Sequence, residues 1–130
     1  MPITDVFLEV DSRKDRVMNY TIDFDQRIDE RTGKPVGRPV LTQFAIRIRR
    51  ESEAPVDTYI KWQLEPTMTK DFEICFYDNH QLKRQVRVKG AYLINYNQYC
   101  LEPGYIEESL ALSPDQVDVD NEHFDRKDAA

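Results

Sequence analysis

A chain of 130 residues suits a single domain, large enough to bury a core without help from metals or disulfides. Hydrophobic residues at 40% and charged residues at 32% call for a packed interior under a large solvated surface. The net charge of −6 is uneven: six acids and two bases between Ser113 and Ala130 place −4 there and leave −2 on the body, and neither part has the basic face of a nucleic-acid binder.

"DVFLEV" puts Val6, Leu8 and Val10 on one side of a short strand, and Asp11 and Ser12 suit the turn after it. "RVMNYTIDFDQRID" alternates most clearly, with Met18, Tyr20, Ile22 and Phe24 on the dry face and Val17, Asn19, Thr21 and Asp23 on the wet one. Arg27 to Pro39 then breaks the period with two glycines, two prolines and mixed charge, which predicts a long loop of a length that often carries function. "VLTQFAIRIRRE" resumes the strand pattern with Phe44, Ile46 and Ile48 inward. Its basic residues Arg47, Arg49 and Arg50 lie on or near the exposed side, as a solvated edge-protecting face or a contact to an acidic partner.

The one helix expected begins near Ser52 and Pro55 and ends before Pro66. Val56, Tyr59, Ile60 and Leu64 form its apolar stripe, and Trp62 lies on the flank. "DFEICFYD" follows as a strand with Phe72, Ile74 and Phe76 inward, and "DNHQ" as a turn. In "KRQVRVKGAYLINYNQYC", Val86, Val88, Tyr92, Ile94 and Tyr96 share one parity, with Gly90 marking a bulge or bend. "YIEESLALS" closes the pattern with Ile106, Leu110 and Leu112 inward, and residues 115–130 read as an acidic, mobile tail beyond a domain of residues 1–114. The sum is a mostly β protein of six or seven antiparallel strands: a small barrel or curled sheet with one short helix packed on its side.

Chemistry is hard to find. Cys75 and Cys100 are too few for a disulfide framework and not spaced as metal ligands, and they read as reduced, half-buried strand cysteines. His80 sits in a turn and His123 in the acidic end, neither with metal-site spacing. Asp118, Asp120 and Glu122 resemble a calcium loop only superficially, since the central glycine and the twelfth-position acid are missing. No nucleophile elbow, phosphate loop or dinucleotide fingerprint occurs. The reading is therefore a β domain that works through its surfaces, with no catalytic residue and no metal or other cofactor expected. No apolar run reaches the roughly 20 residues of a membrane span, and "MPITDVFLEVDSRKDR" lacks the basic start and apolar stretch of a signal peptide. Synthesis and folding in the cytoplasm are expected, without membrane insertion.

The order of motifs resembles a known family. "YTIDFDQRIDERTGKPVGRP", "FAIRIRRES", "YIKWQLEPTMTKDFEICFYD", "VKGAYLINYNQYC" and "YIEESLALSP" are similar to the Hcp (haemolysin-coregulated protein) family in its TssD branch, the tube proteins of type VI secretion systems. The carrying residues are Asp29/Gly33/Lys34/Pro35 (with Gly37-Arg38-Pro39 as a second candidate), Glu51-Ser52, Trp62/Pro66, Ile74-Cys75-Phe76-Tyr77 and Ala91-Tyr92/Tyr96, and the match spans roughly Val6 to Pro114. Two features depart from the pattern: the polar "WQLEP" and the acidic extension after Pro114.

The resemblance implies a barrel with a side helix, homo-hexameric rings that stack into a hollow tube, and exit from the cell through the type VI system. Partners would be further copies of the chain together with spike, sheath and effector proteins. It implies a ring-stacking role for the loop containing Arg27, Arg31, Thr32, Gly33, Lys34, Pro35, Val36, Gly37 and Arg38. It also implies docking of the helix on the barrel through the stripe Val56, Tyr59, Ile60 and Leu64, with Trp62 packed at the stripe's edge or against a neighbouring subunit. A tube protein or adaptor of a phage-tail-like contractile injection system is an alternative, and an oligonucleotide-binding barrel a more distant one that the missing basic groove weakens.

Overall fold

The computed structural model describes residues 2–51 and 57–128. Eight strands and one helix follow in order: β1 (Asp5–Val10), β2 (Arg13–Ile28), β3 (Pro35–Glu51), α1 (Asp57–Leu64), β4 (Lys70–Asp78), β5 (Gln81–Glu102), β6 (Tyr105–Ser113), β7 (Gln116–Val119) and β8 (Glu122–Asp125). A short 3₁₀ turn spans Arg126–Asp128. Every strand pairing is antiparallel. The pairing order β4-β1-β2-β3-β6-β5 closes on itself through β4–β5, so six strands form a barrel, and β7 and β8 extend from β5.

Turn chemistry sets the tight connections. Asp11 and Ser12 between β1 and β2, and Asn79 and His80 between β4 and β5, all have positive φ, as the two-residue turns that match strand twist require. The predicted Arg27–Pro39 loop is instead mostly hairpin. Arg27 pairs with Val36 and Ile28 with Pro35, which leaves a reversal of only residues 29–34. The Asp29 side chain organises that reversal by accepting from the backbone N–H of Arg31 at 2.8 Å and of Thr32 at 3.3 Å, and Gly33 takes the left-handed conformation.

Bulges decide which side chains enter the core. In β2, Val17 opposes Ile48 and Asn19 opposes Arg47, so Met18 is an extra residue. The expected alternation is therefore wrong at its start: Val17 is buried and Met18 is exposed, while Tyr20 and Ile22 pack partly inward beyond the bulge. In β5 the parity flips twice. The left-handed Gly90 lies in a bulge between Val88 and Ala91, and Ile94 is an extra residue between Leu93 and Asn95. Ala91 and Leu93 fill the core in place of the expected Tyr92 and Ile94, which are 42% and 61% exposed.

The helix docks differently from its predicted stripe. Tyr59 and Trp62 are its buried residues, Ile60 is half-buried, Leu64 is 72% exposed, and Val56 lies outside the described residues. Trp62 packs edge-on against Phe72 and donates from Nε1 to the Ala91 carbonyl at 3.2 Å, so it anchors the helix where β4 and β5 part. The stretch after Pro114, expected to be a mobile tail, is largely strand. β7 pairs with β5 from Gln116↔Lys89 to Val119↔Val86, Val117 is buried, and Phe124 of β8 meets Phe24 of β2 at 5.2 Å. The apolar alternation of Val117 and Val119 gives the hairpin a face to bury despite its acids.

Candidate assembly surfaces

Four strands, β2, β3, β6 and the second half of β5, form a continuous sheet on one side of the barrel. The row Thr21, Ala45, Ala111 and Asn95 crosses all four. Both lateral edges of this sheet are open among the described residues. β1 pairs with β2 only through Arg16, so β2 from Val17 to Ile28 has no strand on that side. β4 pairs with β5 only as far as Ala91, so Tyr92 to Glu102 has none opposite β6. The two bulged residues, Met18 and Ile94, lie one on each open edge and both are exposed, as are Phe24 and Ile28 on β2 and Tyr92 on β5. Unpaired backbone flanked by exposed apolar side chains is the usual signature of a strand awaiting a partner.

Beyond Ala45 the β2–β3 ribbon continues without β6. Arg27, Arg31, Thr32, Gly33, Lys34, Pro35, Val36, Gly37 and Arg38 are all exposed. A bare two-stranded ribbon is marginal in water, so this projection also suits contact with another molecule.

The predicted basic face is dispersed. Arg47 is exposed, while Arg49 is half-buried, ion-paired with Glu102 and stacked over the Tyr105 ring at 4.2 Å. Arg50 is buried: its Nε meets Glu108 Oε1 at 2.5 Å, with side-chain exposures of 3% and 0%. Tyr96 donates to the other Glu108 oxygen, and the Arg50 guanidinium lies 5.4 Å from the Tyr59 ring. Tyr59 donates to Asp15 at 2.6 Å. Burial, reinforced by these carboxylates, pushes both phenols well above the usual tyrosine range, so both stay protonated donors. This network ties α1 to β2, β3, β5 and β6. One sequence signal could have revealed it: Arg50 has the parity of Ile46 and Ile48, and Glu108 that of Leu110 and Leu112.

Among the described residues no group of His, Cys, Asp or Glu could hold a metal. No described helix is long and apolar enough to cross a membrane. Cys75 is buried, and burial first, then the hydrogen bond to Glu9, push its thiol up to about 12; Cys100 is exposed. The protonated thiol favours the fold, so its contribution is complete below about pH 9 and is lost as pH rises toward 12. Ellman's reagent at pH 8 is expected to modify Cys100 readily and Cys75 roughly a thousandfold more slowly. Both thiols should react once the chain unfolds; two fast thiols in the native protein would contradict the burial.

The sequence model for the family described as "Hemolysin coregulated protein Hcp (TssD)" matches residues 4–127. No curated protein matches the sequence significantly. Among solved structures, Hcp1 from Flavobacterium johnsoniae superposes with a TM-score of 0.79 at 18% identity, covering 94% of this chain and 99% of that one. Hcp1 from E. coli EAEC 042, as a double mutant, gives 0.65 at 15% identity, covering 87% and 88%. A chain of the sheath–tube complex of an extracellular contractile injection system, PVC, gives 0.54 at 16% identity, covering 91% and 89%. At these identities the structures speak for the fold, and the family match carries membership: the chain belongs to the Hcp/TssD family of type VI secretion tube proteins, and its work is that of a structural tube subunit.

Proposed function

We propose that the chain forms a closed homo-hexameric ring in which the open β2 edge of one copy pairs with the open β5 edge of the next. These rings stack into a hollow tube that carries effectors and leaves the cell through the type VI system. The observation that supports this best is the four-stranded sheet with two open edges. Its strands alternate in direction, so β2 and β5 run oppositely. A copy added by rotation therefore continues the antiparallel pattern across the junction. Two different edges meeting head-to-tail make a heterologous contact, which closes as a ring when the rotation fits. The rest of the barrel covers one face of the sheet, so the other face, with Asn19, Ala45, Asn95, Asn97 and Ser109, is the one assigned to the lumen. The β2–β3 hairpin is assigned to ring–ring contact, and spike, sheath and effector proteins complete the assembly.

Native mass spectrometry with electron microscopy tests this reading. Six copies of 15.4 kDa predict a species of about 92 kDa that appears as rings and stacked rings. Removing Thr32 to Val36 should leave rings but reduce stacking. Monomer alone up to millimolar concentration would overturn the ring; loss of rings on shortening the hairpin would move the hairpin into the subunit seam.

A further inference from the structure

A second surface beside the open β2 edge has no role in strand pairing. Between the root of the β2–β3 hairpin and the β7–β8 hairpin lies a groove of about 440 Å³ lined by Phe24, Pro39, Val117, Val119 and Phe124. Asp25 and Glu122 line it alongside these apolar side chains. Phe24 and Phe124 touch edge-on, so the two hairpins meet there without filling the space. The groove exists because the segment after Pro114 folds into strands; a mobile tail would have left only the open face of the hairpin.

A projection lies beside the start of the open β5 edge. Leu64 ends α1 and is 72% exposed, the highest exposure of any large apolar side chain among the described residues. One turn earlier stands Lys61, also exposed. The helix end is fixed in height by the hydrogen bond from Trp62 to Ala91, the last β5 residue paired with β4 before the open edge begins at Tyr92.

Strand registers relate the two features. From the row that joins Thr21 to Asn95, three residues along β2 reach Phe24 and three along β5 reach Tyr92, next to Ala91. Groove and helix end therefore lie at about the same height on opposite edges of one sheet. When an edge of one copy meets the opposite edge of the next, they come to the same junction. Leu64 would enter an apolar cleft large enough for more than one side chain of its size, and Lys61 would face Asp25 and Glu122.

We infer that this groove is the seat for the C-terminal turn of α1 from the adjacent copy, with Leu64 as the knob. The inference rests on the ring reading above. It adds a side-chain lock to the backbone pairing, one that determines which edge may meet which: an edge pairing in the wrong order would leave both groove and leucine exposed.

Disulfide trapping tests it. On a Cys100→Ser background, chains carrying Leu64→Cys are mixed with chains carrying Val119→Cys and a small mass tag, then treated with diamide. The expected product is a covalent heterodimer as the main species, with little cross-linking in either variant alone. Electron microscopy of the unsubstituted chain is run alongside. Rings without the heterodimer would overturn the groove assignment and leave the ring reading standing; absence of any assembly would overturn both. Leu64→Ala, on an exposed side chain, should retain the native circular dichroism spectrum and assemble only at about tenfold higher concentration. Unchanged assembly in that variant would also count against the lock.

Discussion

Glu108→Ala should lower the unfolding free energy by about 3–5 kcal/mol, the usual cost of stranding one partner of a buried ion pair. Domains of this kind hold only about 5–15 kcal/mol in total, so the variant should sit near the limit of folding. The reason is specific to this site. Arg50 is buried beside Glu108, and removing the carboxylate leaves its charge inside the protein without the partner at 2.5 Å. It also strips Tyr96 of its acceptor. An apolar replacement of both partners, Arg50→Met with Glu108→Leu, should recover much of the loss, because the desolvation cost disappears along with the attraction. Urea denaturation of Arg50→Met, Glu108→Leu and the double variant gives the coupling directly. A single-variant loss under about 1 kcal/mol would show that solvent reaches the pair. The consequence reaches function, since β3 and β6 are the central strands of the sheet whose edges are proposed to build the ring. The network that holds α1 against them also sets where the edges and the Leu64 turn lie.

Ile94→Lys should leave the monomer folded and disable assembly. The side chain is 61% exposed and sits on a bulge, so its replacement should change stability by no more than about 0.5 kcal/mol. Pairing with a second copy would bury it. Burying the lysine's polar end in that junction without a partner costs, per contact, at least what mutational data give a neutral polar group, about 1–3 kcal/mol, and more while it is charged; that range alone weakens each contact roughly 5- to 150-fold. Lysine on an open edge is also the device by which natural sheets avoid pairing. Light scattering across a concentration series reads the effect, and Leu82→Lys serves as the control. Leu82 is 48% exposed but lies at the β4–β5 hairpin, away from both open edges. Rings formed by Ile94→Lys at the concentration used by the unsubstituted chain would remove β5 from the junction. Loss of assembly in the Leu82→Lys control as well would show that the effect is not specific to the β5 edge.

Much of this molecule can be read from local chemistry. Alternation in "FAIRIRRE" and "DFEICFYD" specifies strands with one dry face, and Asp11-Ser12 and Asn79-His80 carry turns suited to tight hairpins. The helix between Asp57 and Leu64 stands out from its strand surroundings and stops before Pro66. These features depend on a few neighbouring residues, so a single sequence displays them. The succession of motifs also marks the family, since the residues that punctuate the strands keep their order along the chain.

Tertiary structure decided the rest. A bulge leaves almost no trace in a hydrophobic pattern, yet it reverses the facing of every residue beyond it. Met18 and Ile94 therefore look like core residues in sequence and lie on the surface in the fold. Strand parity points Arg50 and Glu108 inward, but nothing local reveals that residues 58 positions apart will neutralise each other. The acids between Asp115 and Asp128 suggest a solvated tail, whereas β5 supplies the strand partner that lets Val117 become buried. An open edge is a statement about strands that fail to arrive, and only the closed path of the barrel shows where β1 and β4 leave β2 and β5 unpaired. Sequence by itself thus determined most of the barrel strands, the helix, the tight turns and the family. The facing of side chains, the buried charges and the open strand edges came from long-range pairing, whose energy is shared between segments far apart in the chain.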